Sequence, residues 1–178
     1  MKKNPSGVAL TPQLHWYAAR TKRNQEQIIK SKLEKLNIVN FAPFHTVLRQ
    51  WSDRRKKVNV PVIPNIVFIR TDYKTSINIP NIYGVEISYL RRLGTTQHLV
   101  VPDKQMDDFI LLCNSNHQIT MLSNGLLRKH DKVRIIKGSL FGVEGELISD
   151  CDRKQLIVRL DGIAHFTVNV SEEYLEKL

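Results

Sequence analysis

Cations gather in two short stretches of this chain, each beside an aromatic residue. Arg20, Lys22 and Arg23 follow Trp16-Tyr17, and Lys32 and Lys35 come soon after. Arg49 leads into Gln50–Lys57, where five of the eight residues are Arg, Lys or Trp: Trp51, Arg54, Arg55, Lys56 and Lys57. Lysine and arginine neutralise phosphates and release their counterions, and an indole stacks on an unpaired base. The chemistry on offer is nucleic-acid binding. A solvated charge run explains the second stretch equally well.

The whole chain has the same bias. It carries 27 Lys+Arg against 17 Asp+Glu, a net +10 over 178 residues. Such a surface suits nucleic acid, an acidic protein or an anionic membrane. No apolar run reaches the length of a membrane span, so no membrane is expected. Residues 1–13 lack an apolar core segment and read as a loose tail rather than a secretory signal. Cys113 and Cys151 are far apart, which suits reduced thiols and a cytoplasmic protein.

Catalytic signatures are missing. The sequence has no Gly-x-x-x-x-Gly-Lys-Ser/Thr loop and no Gly-x-Ser-x-Gly elbow. Gly138, Gly142 and Gly145 lie between two β-branched runs and open no helix, so they form no dinucleotide cradle. The six histidines lack metal-ligand spacing. Asp107-Asp108 and Glu172-Glu173 read as solvated faces. Neither an enzyme nor a cofactor is expected.

Periodicity supplies the scaffold, an α+β layer arrangement. Strands are expected at 14–20, 41–48, 58–70, 85–91 and 99–101. Pro43 marks an edge or bulge in the second. Asn24–Leu36 predicts a helix with Ile28, Ile29, Leu33 and Leu36 on one stripe. Gln50–Lys57 reads as a basic loop or hairpin tip, and 71–84 as a short helical turn and loop. Asp103 reads as the N-cap of a helix to about Cys113. Residues 114–127 read as a linker. Beyond it come strands at 133–137, 143–148, 155–160 and 165–170, with an Asp161-Gly162 turn. The three glycines fall where the first hairpin of this segment must reverse and pass near its own backbone.

Several segments, in order, resemble the NusG family of transcription elongation factors. They are Trp16-Tyr17-Ala-Ala-Arg-Thr-Lys-Arg, Pro64-Asn-Ile-Val-Phe-Ile69, Leu99-Val-Val-Pro-Asp103, and the hairpin around Gly138–Gly145, which resembles a KOW motif. The resemblance implies a NusG-type N-terminal α/β sandwich over 14–113 and an SH3-like β-barrel KOW domain over 128–178. Lys22-Arg23, Ala42-Pro43 and Pro61-x-x-Pro64-Asn65 are similar to the RfaH type. Gln50–Lys57 with Val60–Pro64 looks most like the UpxY antiterminators of capsular polysaccharide operons.

That resemblance implies a monomeric antitermination factor that binds elongating RNA polymerase at the clamp helices and suppresses pausing and termination. Matching apolar contacts are Ile63, Ile66, Phe68 and Leu93. Thr75 and Ser76 match a hydroxyl-bearing loop touching the opposite polymerase wall. Lys22, Arg23, Lys32, Lys35 and Arg54 match the residues that meet the non-template DNA strand. The KOW domain of the family binds a ribosomal protein or termination factor, and Leu140 and Phe141 at the hairpin tip and Ile163 after the Asp161-Gly162 turn are the apolar residues expected at its surface for that. The alternative is a ribosome- or RNA-associated KOW protein. Such a protein has no reason to carry the Pro64–Ile69 strand.

Overall fold

The computed structural model describes residues 12–50, 55–115, 117–122, 131–150 and 153–178. The first sheet is antiparallel and built from β1 (His15–Thr21), β2 (Val39–Phe41), β5 (Ile66–Thr71), β6 (Ile87–Tyr89) and β7 (Val100–Val101). Its order is β2-β5-β1-β6, with β7 also pairing β1. Between β2 and β5 the chain leaves the sheet as a separate ribbon of β3 (Phe44–Gln50) and β4 (Arg55–Pro61). The expected single strand over 41–48 therefore breaks at Ala42-Pro43. Proline has no N–H for a ladder, and the chain turns there from sheet to ribbon.

The alternation of β1 and β5 separates two cores. Ala19, Val67 and Ile69 point to one face, where they meet Ile29 and Leu33 of α1 (Glu26–Lys35) and Ile79 of α2 (Tyr73–Asn81). Trp16, Ala18, Ile66 and Phe68 point to the other, beneath Met106, Phe109 and Leu112 of α3 (Asp103–Asn114). A strand buried on both faces reads as a continuous apolar run, as Ile66–Ile69 does. The α1 stripe is narrower than expected: Ile28 and Leu36 are exposed. At the start of α3, Pro102 takes the N-cap position and Asp103 is the first helical residue.

The C-terminal sheet has the order β13-β9-β10-β11-β12-β8. Its strands are β8 (Ile119–Leu122), β9 (Asp131–Ile135), β10 (Glu144–Asp150), β11 (Arg153–Leu160), β12 (Ala164–Asn169) and β13 (Leu175–Lys177). The glycine hairpin forms as expected, with Glu144 opposite Arg134. Gly138 and Gly142 adopt φ of +83° and +87°, which disfavour a side chain. A Cβ on Gly145 would lie 2.2 Å from the Ile157 carbonyl oxygen, so only glycine fits there. The expected linker is partly structured: β8 lies within it and pairs with β12, His165 opposite Leu122. A segment of only four residues, Ile119–Leu122, gains that ladder by joining an existing sheet edge, which local pattern does not reveal.

One apolar cluster runs from the first sheet through α3 into the C-terminal sheet. Phe109 is its hinge. Its ring meets Phe41 and Phe68 edge-on at centroid distances of 6.0 and 5.7 Å, and stacks on Phe166 at 4.8 Å. Cys113, on the same helix, is a free thiol that burial pushes up to about 12 from 9.0. Its contribution to stability is therefore full below pH 9 and is lost as pH rises towards 12. In a Cys151→Ser background, Cys113 should alkylate with iodoacetamide at pH 8 at least about tenfold more slowly than in urea, because thiolate is the nucleophile. Equal rates in both conditions would show that the thiol is open.

Candidate nucleic-acid and partner interface

The β1–α1 corner carries the first basic group. Asn24 holds φ +60° there, and the Gln25 N–H donates to the Lys22 carbonyl at 3.1 Å. The turn leaves Lys22 and Arg23 exposed. Lys32 and Lys35 are exposed in the last turn of α1, where cations complement the helix dipole. Lys22 Nζ donates to Glu86 Oε1 at 3.0 Å. That hydrogen bond, then the charges of Lys22 and Lys32, hold the Glu86 carboxyl below the usual range. Lys22 is therefore paired with this carboxylate, and Lys32 acts on it only through its charge. Glu86 itself carries no local sequence signal for this role. Arg54 lies outside the described residues. Its neighbours Arg55, Lys56 and Lys57 stand exposed on β4, the second strand of the hairpin.

The apolar candidates divide sharply. Leu93 is 99% exposed at the tip of a turn closed by Arg92 N–H to Gln97 O (3.0 Å) and a bridge between Arg91 and His98. Ile63, Ile66 and Phe68 are 6%, 7% and 0% exposed. In this conformation they offer almost no surface to a partner, because they pack in one apolar cluster with α3 and the C-terminal sheet. Thr75 is half-buried and Ser76 fully buried, both in α2 rather than in a projecting loop. The Thr75 N–H donates to the N-cap carboxylate of Asp72 at 3.0 Å. Ser76 Oγ donates to Tyr73 O at 2.7 Å and sits 3.2 Å from His98 Nδ1, so it anchors the base of the Leu93 turn.

In the C-terminal sheet, Phe141 is 67% exposed at the hairpin tip. Leu140 was expected beside it at the surface but points inward at 3%. Adjacent residues of a tight turn face opposite ways, and the pair splits accordingly. Ile163 is half-buried against the shared apolar cluster.

The structure adds two arrangements absent from these expectations. Glu26 is buried, and its Oε1 accepts the Asn65 N–H at 2.7 Å. Asn65 has φ +60°, a conformation asparagine and glycine tolerate best. The Pro64-Asn65 step is thus a left-handed entry to β5, held by a carboxylate on α1. The second arrangement is a polar seam. Lys104 Nζ donates to Asp108 Oδ1 at 2.5 Å and to Gly142 O at 2.9 Å. Asp108 Oδ2 accepts the Glu144 N–H at 3.3 Å, and Gln105 exchanges two hydrogen bonds with Asp161 at 2.7 and 3.0 Å. The adjacent acids Asp107-Asp108 suggest a solvated face, but Asp108 is 7% exposed and joins two parts of the chain. Burial raises its carboxyl, with Lys104 opposing the shift. The titration-dependent part of its contribution is fullest below the usual aspartate range and declines as pH rises through the raised value, with the Lys104 pair offsetting part of that loss.

These features define a mixed α/β protein: a five-stranded antiparallel sheet with basic flanks, joined through one helix to a six-stranded antiparallel sheet. The family described as "Transcription termination factor nusG" matches residues 14–110, which span β1 through most of α3. The chain belongs to this NusG family of transcription factors. Among solved structures, that describing the domain interaction in Thermotoga maritima NusG is 18% identical, covers 93% of this chain and 98% of its own, and has a TM-score of 0.47. The MjSpt4:Spt5 complex in conformation B is 16% identical over 92% of this chain and 96% of its own, with a TM-score of 0.26. No curated protein matches the chain. Among the described residues, no helix is long and apolar enough to cross a membrane.

Proposed function

We propose that this protein is a non-enzymatic, cytoplasmic transcription antitermination factor. It binds elongating bacterial RNA polymerase at the clamp helices and suppresses pausing and termination, in the manner of the RfaH and UpxY types, in capsular or exopolysaccharide operons. The observation that carries this reading is the family match over residues 14–110, the half that holds the exposed Leu93 and the basic corner. A ribosome-associated KOW protein would have no use for that half.

In this reading Leu93 supplies the apolar contact available in the closed conformation. Ile63, Ile66 and Phe68 become available only when α3 and the C-terminal sheet move away. The C-terminal sheet serves as an SH3-like KOW barrel over 128–178, extended by β8, and presents Phe141 to a ribosomal protein or termination factor. Lys22, Arg23, Lys32 and Lys35 meet phosphates of the non-template strand. In vitro transcription across a long operon leader tests the reading: added protein should increase read-through by purified polymerase. No effect on any leader would overturn it.

Glu86 tunes the basic corner by occupying Lys22. Glu86→Gln should raise affinity for single-stranded DNA about two- to fivefold, and the salt dependence should steepen by about 0.7 in log–log slope for one added phosphate contact. Filter binding across a salt series measures both quantities. Unchanged affinity and slope would place the strand elsewhere.

A further inference from the structure

The ribbon of β3 and β4 has two unlike faces. Directly opposed residues share a face in an antiparallel pair. The inward face carries His45 opposite Val60, Val47 opposite Val58 and, nearest the tip, Arg49 opposite the exposed Lys56. Val47 and His45 line a cavity with Cys113, Ile119 and Met121, so this face looks to the body of the protein. The outward face pairs Thr46 with Asn59, Leu48 with Lys57, and Gln50 with Arg55, and all six residues are exposed. Neither ribbon strand contains Asp or Glu.

A charge run that served solubility alone would need no order. This face is ordered. Thr46 Oγ1 donates to Asn59 Oδ1 at 2.9 Å, leaving the asparagine NH2 outward. Arg55 Nε donates to Gln50 Oε1 at 2.9 Å, which fixes the guanidinium and leaves both terminal nitrogens unused by that bond. A guanidinium held through Nε presents the two-pronged donor that fits guanine O6 and N7. Asparagine and glutamine amides suit adenine, and an exposed leucine suits a thymine methyl. The strands of a ribbon lie about 4.8 Å apart, and the major groove of B-form DNA, about 12 Å wide, admits such a ribbon. The groove of duplex RNA is too deep and narrow for side chains to read. Among the described residues, the outward face carries no aromatic ring beyond the half-buried Phe44 at its base.

We propose that the outward face of this ribbon reads the major groove of duplex DNA, with Arg55 as the guanine-reading residue and Gln50 as the residue that positions it. This goes beyond the polymerase reading, which involves the exposed single strand, and does not depend on it. The test uses the full chain, without polymerase, and a duplex DNA library with a randomised central segment. Selection should enrich a sequence with a fixed guanine, bound at least about tenfold more tightly than its guanine-substituted form. Arg55→Lys should erase that preference, because an ammonium makes no fork. Gln50→Ala should relax the same position while leaving the salt slope unchanged. Both sites are exposed, so the variants should fold as the wild type does. The proposal is overturned if no sequence is enriched, if single strands or duplex RNA bind as well as the selected duplex, or if Arg55→Lys keeps the guanine preference. Such a result would leave the polymerase reading standing, since polymerase is absent from the assay.

Discussion

Phe109→Ala should cost about 3–5 kcal/mol of stability, the range for removing a fully buried aromatic ring. The loss should be felt in both halves of the chain. Phe109 is 0% exposed and touches Phe41 and Phe68 on one side and Phe166 on the other. Removing it opens a cavity where the two sheets share their core. Hydrogen exchange is the suitable readout, because it resolves strands individually. Protection should fall in β1 and β5 and also in β11 and β12. Leu111→Ala, on the same helix but 37% exposed, serves as the control and should cost under about 1 kcal/mol. If protection falls only in the N-terminal sheet, the C-terminal sheet keeps its own core and α3 merely rests on it.

That shared core marks the limit of what the sequence reveals. The β9–β10 hairpin is legible because its glycines answer to local demands: two positive φ values and one close backbone approach. The Asp161-Gly162 turn is legible for the same reason, with φ +74° at Gly162. Pro64-Asn65 is recognisable as a motif, although the carboxylate that holds it lies far away on α1. The length of the ribbon is hidden because consecutive charges at Arg55–Lys57 show no alternation, so β4 begins inside the stretch that reads as a loop or hairpin tip. Two buried faces on β5 announce that something covers Phe68, yet they do not say what. An external partner and the chain's own α3 leave the same apolar run. The basic corner shows the complementary failure. Lys22 and Arg23 are plain in the sequence, while Glu86 reaches Lys22 across 64 positions of chain.

The distinction between Phe68 and Leu93 yields the sharpest test of polymerase docking. Leu93→Asp should weaken association with RNA polymerase by about tenfold or more and leave the melting temperature unchanged. A leucine buried at an interface contributes about 1.5–3 kcal/mol, and a carboxylate placed there adds a desolvation cost. In the free protein, by contrast, Leu93 is 99% exposed and its turn is held by backbone bonds, so the change removes almost no contact. The base of the turn is independently anchored, because the His98 ring stacks on Tyr89 at 4.3 Å. Phe68→Asp would abolish association as well, but by burying a charge at a fully enclosed site in the N-terminal sheet, so its melting temperature must collapse. Measuring both variants by polymerase pull-down and thermal unfolding separates a contact residue from a core residue. Full polymerase binding by a folded Leu93→Asp variant would remove this turn from the docking surface and leave only the covered face, which must then open before polymerase can bind.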